Sequence, residues 1–459
     1  MSSPASSIPS RPPARGLLEH AKRTLQLALP VMAARVGLLL IVAVDSAMSG
    51  LAGVDELAAY ALSVAPLVPM LLFGIGMLMG TLVLGAQADG EGEIKKAGWF
   101  WRISLGHAVV VGFGFALLSL FGEQFLLLTG QNPELSEAGA KVLHMQAWGI
   151  PAMLMFATTS FFLEGIGRPG PGAWIMLVAN VLNIALNWIF IYGNFGAPVL
   201  GAEGAALASS IVRWFMFISL ALYALKTLDH QHYGISGEIE NHSHLSKTLL
   251  RFGAPLAIAH SLESSAFAAM ILFAGLVGTL HVAAYQLAFN IVATTFMAAL
   301  GLAAAASIRV ANAKGRRDPL GMKRAGWVAV AIAFFILIFF SLCYAIQPEF
   351  FVRLYSHDPD VLAIAVPCIL VAAMAIIPDG IQGVLMGSLR GAGDIWPATL
   401  RYCLSFWGIM VPAGYYLGVI NDGGAPALVL AIFIGTSVAT ILLAIRFMKV
   451  SNLAISRLK

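Results

Sequence analysis

Long apolar runs separated by short polar turns make up almost the whole sequence from residue 25 onward. A helix needs about 20 apolar residues to cross a bilayer, and twelve segments meet that requirement. Gly, Pro and single polar residues interrupt some of them, as in bundles of membrane helices. The pattern predicts an all-α polytopic membrane protein with twelve transmembrane helices. These lie near residues 25–48, 57–84, 99–121, 138–162, 172–192, 204–225, 249–275, 281–308, 325–346, 361–386, 396–418 and 425–447.

The two halves of the chain resemble each other. The stretch LALPVM at 27–32 corresponds to FGAPLA at 252–257, and the turn that begins at Glu164 corresponds to the turn that begins at Arg390. Six spans separate the copies, so both copies have the same orientation in the membrane. Two six-helix bundles related in this way, with a cavity between them, are a common architecture of transporters.

The predicted organisation has five parts. We expect a disordered, Ser- and Pro-rich cytoplasmic tail over 1–24, a bundle over 25–225, a cytoplasmic linker over 226–248, a second bundle over 249–447 and a cytoplasmic tail over 448–459. The linker contains two His-x-His pairs. A solvated polar linker is the simpler interpretation of these pairs, and a metal site is the alternative.

Composition and charge agree with this class of protein. Hydrophobic residues make up 59% of the chain and charged residues 11%, whereas soluble domains carry about 25% charged residues. The three cysteines all lie in apolar segments, which argues against a disulfide framework. Lys and Arg concentrate before the first span, in the even-numbered loops and after the last span. By the positive-inside rule, both termini are therefore cytoplasmic.

Three acidic residues interrupt the apolar spans. Asp45 ends the first span, Glu263 lies in the middle of the seventh, and Asp379 follows Pro378 in the tenth. A charge at the centre of a membrane helix costs about 2.5–3.5 kcal/mol on insertion scales, so each acid needs a partner, a water-filled cavity or a proton. Glu263 and Asp379 in one cavity can hold a proton or enclose Na⁺ together with hydroxyl and carbonyl oxygens.

A structural role is the alternative for these acids. Each could form a salt bridge with an arginine of another helix, and the candidate partners are Arg35, Arg213 and Arg401. Arg35 is about ten residues from Asp45, hence roughly 15 Å along the same helix, so direct pairing of these two is disfavoured.

Amides follow one face of the fifth span. Asn180, Asn183 and Asn187 recur at spacings of three and four residues, which places them on the same side of a helix. We predict that they line the cavity together with Tyr285 and Gln286 of the eighth span. The alternative is that buried amides only fasten neighbouring helices to each other.

Several motifs in this order resemble the multidrug and toxic compound extrusion (MATE) family, and in particular its bacterial NorM-type branch. The resemblance covers nearly everything after residue 24. It rests on LALPVM, VDSAMSG, GAQADGEG, GIGRPGPGAW, NVLNIALNWIFIYGNFGAPVLGAEGAALAS, SLESSAF, VAAYQLAFN, SIRVANAKG and PDGIQGVLMGSLRGAGD.

The resemblance implies two six-helix bundles arranged as a V, and export of organic cations and hydrophobic drugs driven by inward Na⁺ or H⁺. The coupling carboxylates of the family match Glu263 and Asp379, and the acid of its first span matches Asp45. Asp358 corresponds to an acid that is proposed to attract cationic drugs near the exit. Two features depart from the family: Ala375 stands where some relatives have tyrosine, and Arg35 lies where amides and small residues are commoner.

These observations predict a monomeric, cofactor-independent antiporter of the bacterial plasma membrane that exports amphipathic, mostly cationic compounds. A flippase for lipid-linked saccharides or peptidoglycan precursors is the alternative, but its cavity should be basic. A channel or receptor is the rival from another class, and the sequence has no repeated selectivity-filter motif. No arrangement of nucleophile and base suggests an enzyme, and no feature indicates a nucleic-acid partner.

Overall fold

A computed structural model of the protein describes residues 16–129 and 132–456, apart from the side chain of Val54. Every regular element in these ranges is helical, so the all-α prediction is confirmed. The first half contains α1 (Leu17–Ala52), α2 (Val54–Leu78), α3 (Gly80–Glu91), α4 (Ile94–Ser119), α5 (Gly122–Leu128), α6 (Pro133–Ala147), α7 (Ile150–Gly165), α8 (Gly170–Tyr192), a 3₁₀ turn (Asn194–Gly196) and α9 (Gly201–Thr227). The second half contains α10 (His242–Val277), α11 (Thr279–Gly315), α12 (Pro319–Ile346), α13 (Pro348–Arg353), α14 (Pro359–Gly391), α15 (Trp396–Ser405), α16 (Val411–Gly414) between two π-helical segments (Phe406–Met410 and Tyr415–Ile420), and α17 (Gly424–Ser456).

One of the predicted spans is broken. In the described ranges, 11 helical segments are long and apolar enough to cross a bilayer. The segment predicted over 138–162 is instead the pair α6 and α7, which meet at Trp148 and Gly149. Pro151 explains the break, because its ring nitrogen has no hydrogen to donate to the preceding turn. Counting this pair as one interrupted crossing gives the predicted twelve.

The N-terminal boundary differs from the prediction. Helix α1 begins at Leu17, so the expectation of disorder over 1–24 is wrong for its last residues, and residues 1–15 lie outside the described part of the chain. The early turns of α1 are held by Arg309 of α11, whose guanidinium donates to the carbonyl oxygen of His20 and to the hydroxyl of Thr24, each at 2.6 Å. A tertiary contact therefore orders a segment whose composition alone suggested a tail.

The linker between the halves is shorter than predicted. Helix α9 ends at Thr227 and α10 begins at His242. A tight turn starts the linker, because the Asp229 carboxylate accepts hydrogen bonds from the backbone N–H groups of His232 and Gln231, each at 2.9 Å. These two bonds lower the pKa of Asp229, since they stabilise its charged form.

The C-terminal boundary also moves. Helix α17 continues to Ser456, so the described part of the predicted tail over 448–459 is helical. A hydrogen bond of 2.9 Å from the Lys323 ammonium to the Asn452 side chain fastens this extension to α12.

The two halves meet closely at one end of the bundle. We call the end that carries Lys95, Arg168 and Arg316 the basic end. There α3 of the first half packs against α11 of the second, and the Asn312 amide donates to the Asp89 carboxylate at 2.6 Å. This polar contact joins the last turns of α3 and α11.

Glycines allow the backbones of the two halves to approach each other. A Cβ atom added to Gly253 of α10 would lie 1.9 Å from the carbonyl oxygen of Met77 in α2, and one added to Gly90 of α3 would lie 2.2 Å from the carbonyl oxygen of Asn312. Backbone atoms cannot rotate away as the ends of side chains can. The interface between the halves therefore depends on these glycines.

We expect the substitution Gly253→Ala to lower the thermal unfolding temperature of the purified protein, because the new methyl group forces α10 away from α2. Overpacking of this kind costs about 1–3 kcal/mol. The control is Gly114→Ala in α4, where a Cβ atom would meet no other atom within 4 Å. Equal unfolding temperatures for the two variants would contradict the role of Gly253.

Candidate functional site

The first half contains a buried carboxylate, Asp45, near the end of α1. It is 1% exposed. Two amides of α8 donate to its Oδ1 atom, Asn183 at 2.9 Å and Asn187 at 2.7 Å. Its Oδ2 atom accepts from the hydroxyl of Tyr60 at 3.2 Å and from the hydroxyl of Ser209. Four neutral donors from three other helices therefore surround one carboxylate, and we call these five residues the first-half cluster.

The first-half cluster explains why the amides recur along α8. Asn183 and Asn187 are one helical turn apart and both point to Asp45. Asn180, which shares their predicted face, does not join them: its amide donates to the carbonyl oxygen of Met176 in the same helix, at 2.8 Å. The predicted grouping is therefore formed by two of the three amides.

Two members of the cluster were missed by the sequence reasoning. Tyr60 lies in the second span, where an aromatic side chain is ordinary, and Ser209 lies in a stretch of Gly, Ala and Ser, a composition that is typical of close helix packing. Both are buried. A hydroxyl inside an apolar span was the available signal, but many such hydroxyls bond their own helix, as Thr158 does to the carbonyl oxygen of Leu154.

The second half contains two acids, Glu263 on α10 and Asp379 on α14. The imidazole Nδ1 of His260 lies 3.5 Å from Glu263 Oε2, and the Gln382 amide donates to Asp379 Oδ1 at 3.4 Å. Tyr402 of α15 lies on the wall of one small cavity together with Glu263 and Gln382. We call these five residues the second-half cluster.

A small cavity opens beside the second-half cluster. Its volume is about 40 Å³, and Glu263, His260, Gln382 and Tyr402 contribute to its wall. One water molecule needs roughly 10–15 Å³ of such space, so the cavity holds a few waters or a small hydrated ion. A drug-sized molecule does not fit there.

Arg390 also lines this cavity. The sequence placed it in a loop, but it lies in the last turn of α14, is 7% exposed, and its guanidinium contacts the sulfur of Met79 in the first half at 2.5 Å. Its Nε atom has no hydrogen-bond partner among the described residues. The sequence did not indicate that Arg390 is buried, because an arginine next to a Gly-rich turn is typical of an exposed loop.

Salt bridges to arginine do not account for the three acids. Within residues 16–129 and 132–456, no ion pair joins an arginine to Asp45, Glu263 or Asp379. The arginines that the alternative required bind elsewhere. Arg35 lies over the ring of Phe161 at 5.9 Å, Arg213 donates to the carbonyl oxygen of Gln146 at 3.5 Å, and Arg401 donates to the carbonyl oxygen of Pro397 at 2.7 Å.

The remaining predicted site residues lie apart from both clusters. Tyr285 is 1% exposed and packs in the apolar core of the second half, with its ring stacked on Phe289, so the expectation that it lines a polar cavity is not supported. Gln286 bonds the Asn290 side chain on its own helix at 3.4 Å. Asp358 is exposed and caps α14 by accepting from the N–H of Asp360.

The side-chain atoms available in each cluster determine what the cluster can bind. The described residues contain no group of three or more His, Cys, Asp or Glu side chains that could hold a metal ion. Glu263 and Asp379 offer carboxylate oxygens, and Gln382 and Tyr402 offer neutral ones, a set that suits a proton or a hard monovalent cation such as Na⁺.

Comparisons with known proteins agree with this arrangement. The sequence model of the MatE family matches residues 30–189 and 255–416, once in each half. The chain is 32% identical to the "Probable multidrug resistance protein NorM" of Caulobacter vibrioides, with 96% of this chain and 93% of that protein covered. It is 31% identical to the "Multidrug resistance protein NorM" of Aliivibrio fischeri, with 87% of each covered. The solved structure of the eukaryotic MATE transporter AtDTX14 has a TM-score of 0.86 at 20% identity, and 96% of this chain and 100% of that chain are covered. That likeness shows the fold alone and confirms the predicted two-bundle architecture.

The substitution Asn187→Ala should lower the free energy of unfolding by about 1–3 kcal/mol, because it removes one donor from a buried carboxylate. Asn180→Ala is the matched control, since Asn180 lies on the same helix and bonds only its own backbone. Thermal unfolding of both variants in detergent measures the difference. A loss for Asn180→Ala as large as that for Asn187→Ala would contradict the cluster.

Proposed function

We propose that this chain, which belongs to the MatE family, is a multidrug efflux transporter driven by an inward flow of Na⁺ or H⁺. It is a multi-pass membrane protein with helices long enough to span the bilayer, and members of this family are transporters rather than enzymes. The observation that carries the proposal is the second-half cluster. Neither of its acids forms an ion pair with an arginine in the described part of the chain, and Glu263 lines a small cavity together with Gln382, the side chain that donates to Asp379. The relatives named as multidrug resistance proteins support the export of drugs.

The size of the cavity implies that the ion and the drug would bind at different places. About 40 Å³ beside Glu263 admits a proton or a small cation but no drug. The drug would therefore bind in the space between the two bundles. Binding of the ion at Glu263 and Asp379 would change how the bundles pack, and the bundles over 25–225 and 249–447 would move against each other as units.

Inward movement of one charge supplies enough free energy for export. A charge that crosses the full membrane potential is worth about 2.3 kcal/mol per 100 mV, which corresponds to roughly fiftyfold accumulation at that voltage. The expected substrates are amphipathic, mostly cationic small molecules. Asp358 at the exposed start of α14 would attract them at the exit, and the transporter would work as a monomer without a cofactor.

The charges of the loops indicate how the protein would be oriented in the membrane. The basic end would face the cytoplasm, with both termini on that side, because basic loops are retained there. The named relatives are bacterial, which supports location in the bacterial plasma membrane. The flippase alternative needs a cavity that attracts anionic headgroups. Carboxylates and neutral donors dominate both clusters, with Arg390 as the single arginine lining the second-half cavity in the described part of the chain, so export of cations is favoured over that alternative.

Glu263→Gln or Asp379→Asn should reduce export of a cationic dye from cells by about tenfold or more, because each change removes a charge-assisted interaction worth about 1.5–3 kcal/mol. Both amides keep the shape of the acid, so the amount of protein in the membrane should not change. The control is Glu349→Gln, the same change at an exposed acid that pairs with Arg353. Full export by both test variants would refute the coupling role.

Transport in proteoliposomes under a Na⁺ gradient alone and under a pH gradient alone identifies the coupling ion. We expect one of the two gradients to drive accumulation of the dye against its concentration gradient. A passive channel would only equilibrate the dye. No transport under either gradient would refute drug antiport for this chain.

A further inference from the structure

A groove lies on the outer surface of the bundle where the first turns of α1 meet α12. Its volume is about 730 Å³, and Leu17, Leu18 and Ala21 of α1 form one wall. Trp327 and Phe335 of α12 belong to the opposite wall. We call this the seam groove, because α1 belongs to the first half and α12 to the second.

The walls of the seam groove are apolar, and no other described residue covers them. Leu17 is 66% exposed, Leu18 is 85% exposed and Phe335 is 70% exposed. Side chains of this size at the start of a helix lose free energy when they face water, at about 25 cal/mol for each Å². In a membrane protein, a hydrocarbon chain is the natural cover for such a surface.

The depth of the groove fits one leaflet of the bilayer. Arg324 and Phe335 are eleven residues apart on α12, hence about 16 Å along the helix axis. The hydrocarbon core of a bilayer is about 30 Å thick, so one leaflet contributes about 15 Å. An acyl chain that starts at the level of Arg324 therefore ends near Phe335.

Two cations stand at the mouth of the groove. Lys323 and Arg324 are the charged residues that line it, and neither pairs with a carboxylate among the described residues. The Lys323 ammonium donates to Asn452, a neutral partner, which leaves its charge uncompensated. Arg324 is exposed, and a guanidinium is a good partner for a phosphate group.

We propose that the seam groove binds one anionic phospholipid, with an acyl chain between α1 and α12 and the headgroup phosphate at Lys323 and Arg324. A zwitterionic phospholipid would fill the apolar floor equally well and also has a phosphate, but the cation of its own headgroup cancels that charge, so it would bring no net negative charge to the two cations. The charge at the mouth therefore selects the headgroup.

Because of the position of the groove, a bound lipid would affect how the two halves are held together. It bridges the first turns of α1, which Arg309 already fastens to the second half, and the beginning of α12. A lipid bound there holds the basic ends of the two halves together. This consequence rests on the proposed function: if the bundles move against each other as proposed, the two walls of the groove separate, so lipid binding opposes that movement.

Fluorescence quenching tests this proposal on the full chain in nanodiscs. Phospholipids brominated on the acyl chains quench a tryptophan that they touch, and subtracting the signal of the Trp327→Phe variant isolates Trp327 from the other eight tryptophans. We expect brominated phosphatidylglycerol to associate beside Trp327 more strongly than brominated phosphatidylcholine, on the order of fivefold for each basic side chain at the mouth.

The double variant Lys323→Gln, Arg324→Gln should abolish the preference while leaving quenching by phosphatidylcholine unchanged. The matched control is Lys247→Gln, Arg251→Gln on α10, which removes the same charge from the same end of the bundle and should retain the preference. Three results would overturn the proposal: equal quenching by the two lipids in the unmodified protein, loss of preference in the control pair, or no quenching of Trp327 at all. The readout is binding, so it is independent of whether the chain exports drugs.

Discussion

The cost of a carboxylate inside an apolar bundle governs the arrangement of this protein. Asp45 meets that cost with neutral donors: amides of α8, a hydroxyl of α2 and a hydroxyl of α9 all point to it. Those bonds join α2, α8 and α9 to the two carboxylate oxygens of Asp45 on α1. A hydrogen bond to a charged group is worth about twice a neutral one, so the cluster fixes helix positions as well as a charge.

The second half treats its acids differently. Glu263 and Asp379 receive fewer and longer hydrogen bonds than Asp45 does, and a cavity lies beside Glu263. A site with spare lone pairs and room for water can exchange its ligand, whereas a fully satisfied carboxylate has less reason to do so. With the offset of 226 residues between Glu164 and Arg390, Asp379 corresponds to Met153 in the first half, which is buried among apolar residues. The two halves therefore share a backbone plan and differ in chemistry.

The interface at the basic end shows how the halves are held. Gly253 and Gly90 bring backbone against backbone, and Arg309 and Asn312 reach from α11 to polar groups of the first half. These contacts are short-range and directional. The proposed movement of the halves would break all of them together, which suits a structure with discrete states rather than a continuous range.

The apolar periods, the repeat and the loop charges by themselves determined the class of protein, its twelve crossings and the three acids that lie inside its spans, because membrane spans must be long and apolar and any charge within them is conspicuous. The spacing of Asn183 and Asn187 also indicated a shared target. Only the tertiary structure decided that Asn180 stays out of the cluster, that Tyr60 and Ser209 enter it, that Tyr285 is core and that Arg390 is buried. Those outcomes depend on which helices are neighbours and on how each helix is rotated about its own axis. The sequence does not specify the hydrogen-bond partner of a hydroxyl or an amide, because that partner is determined only when the helices pack.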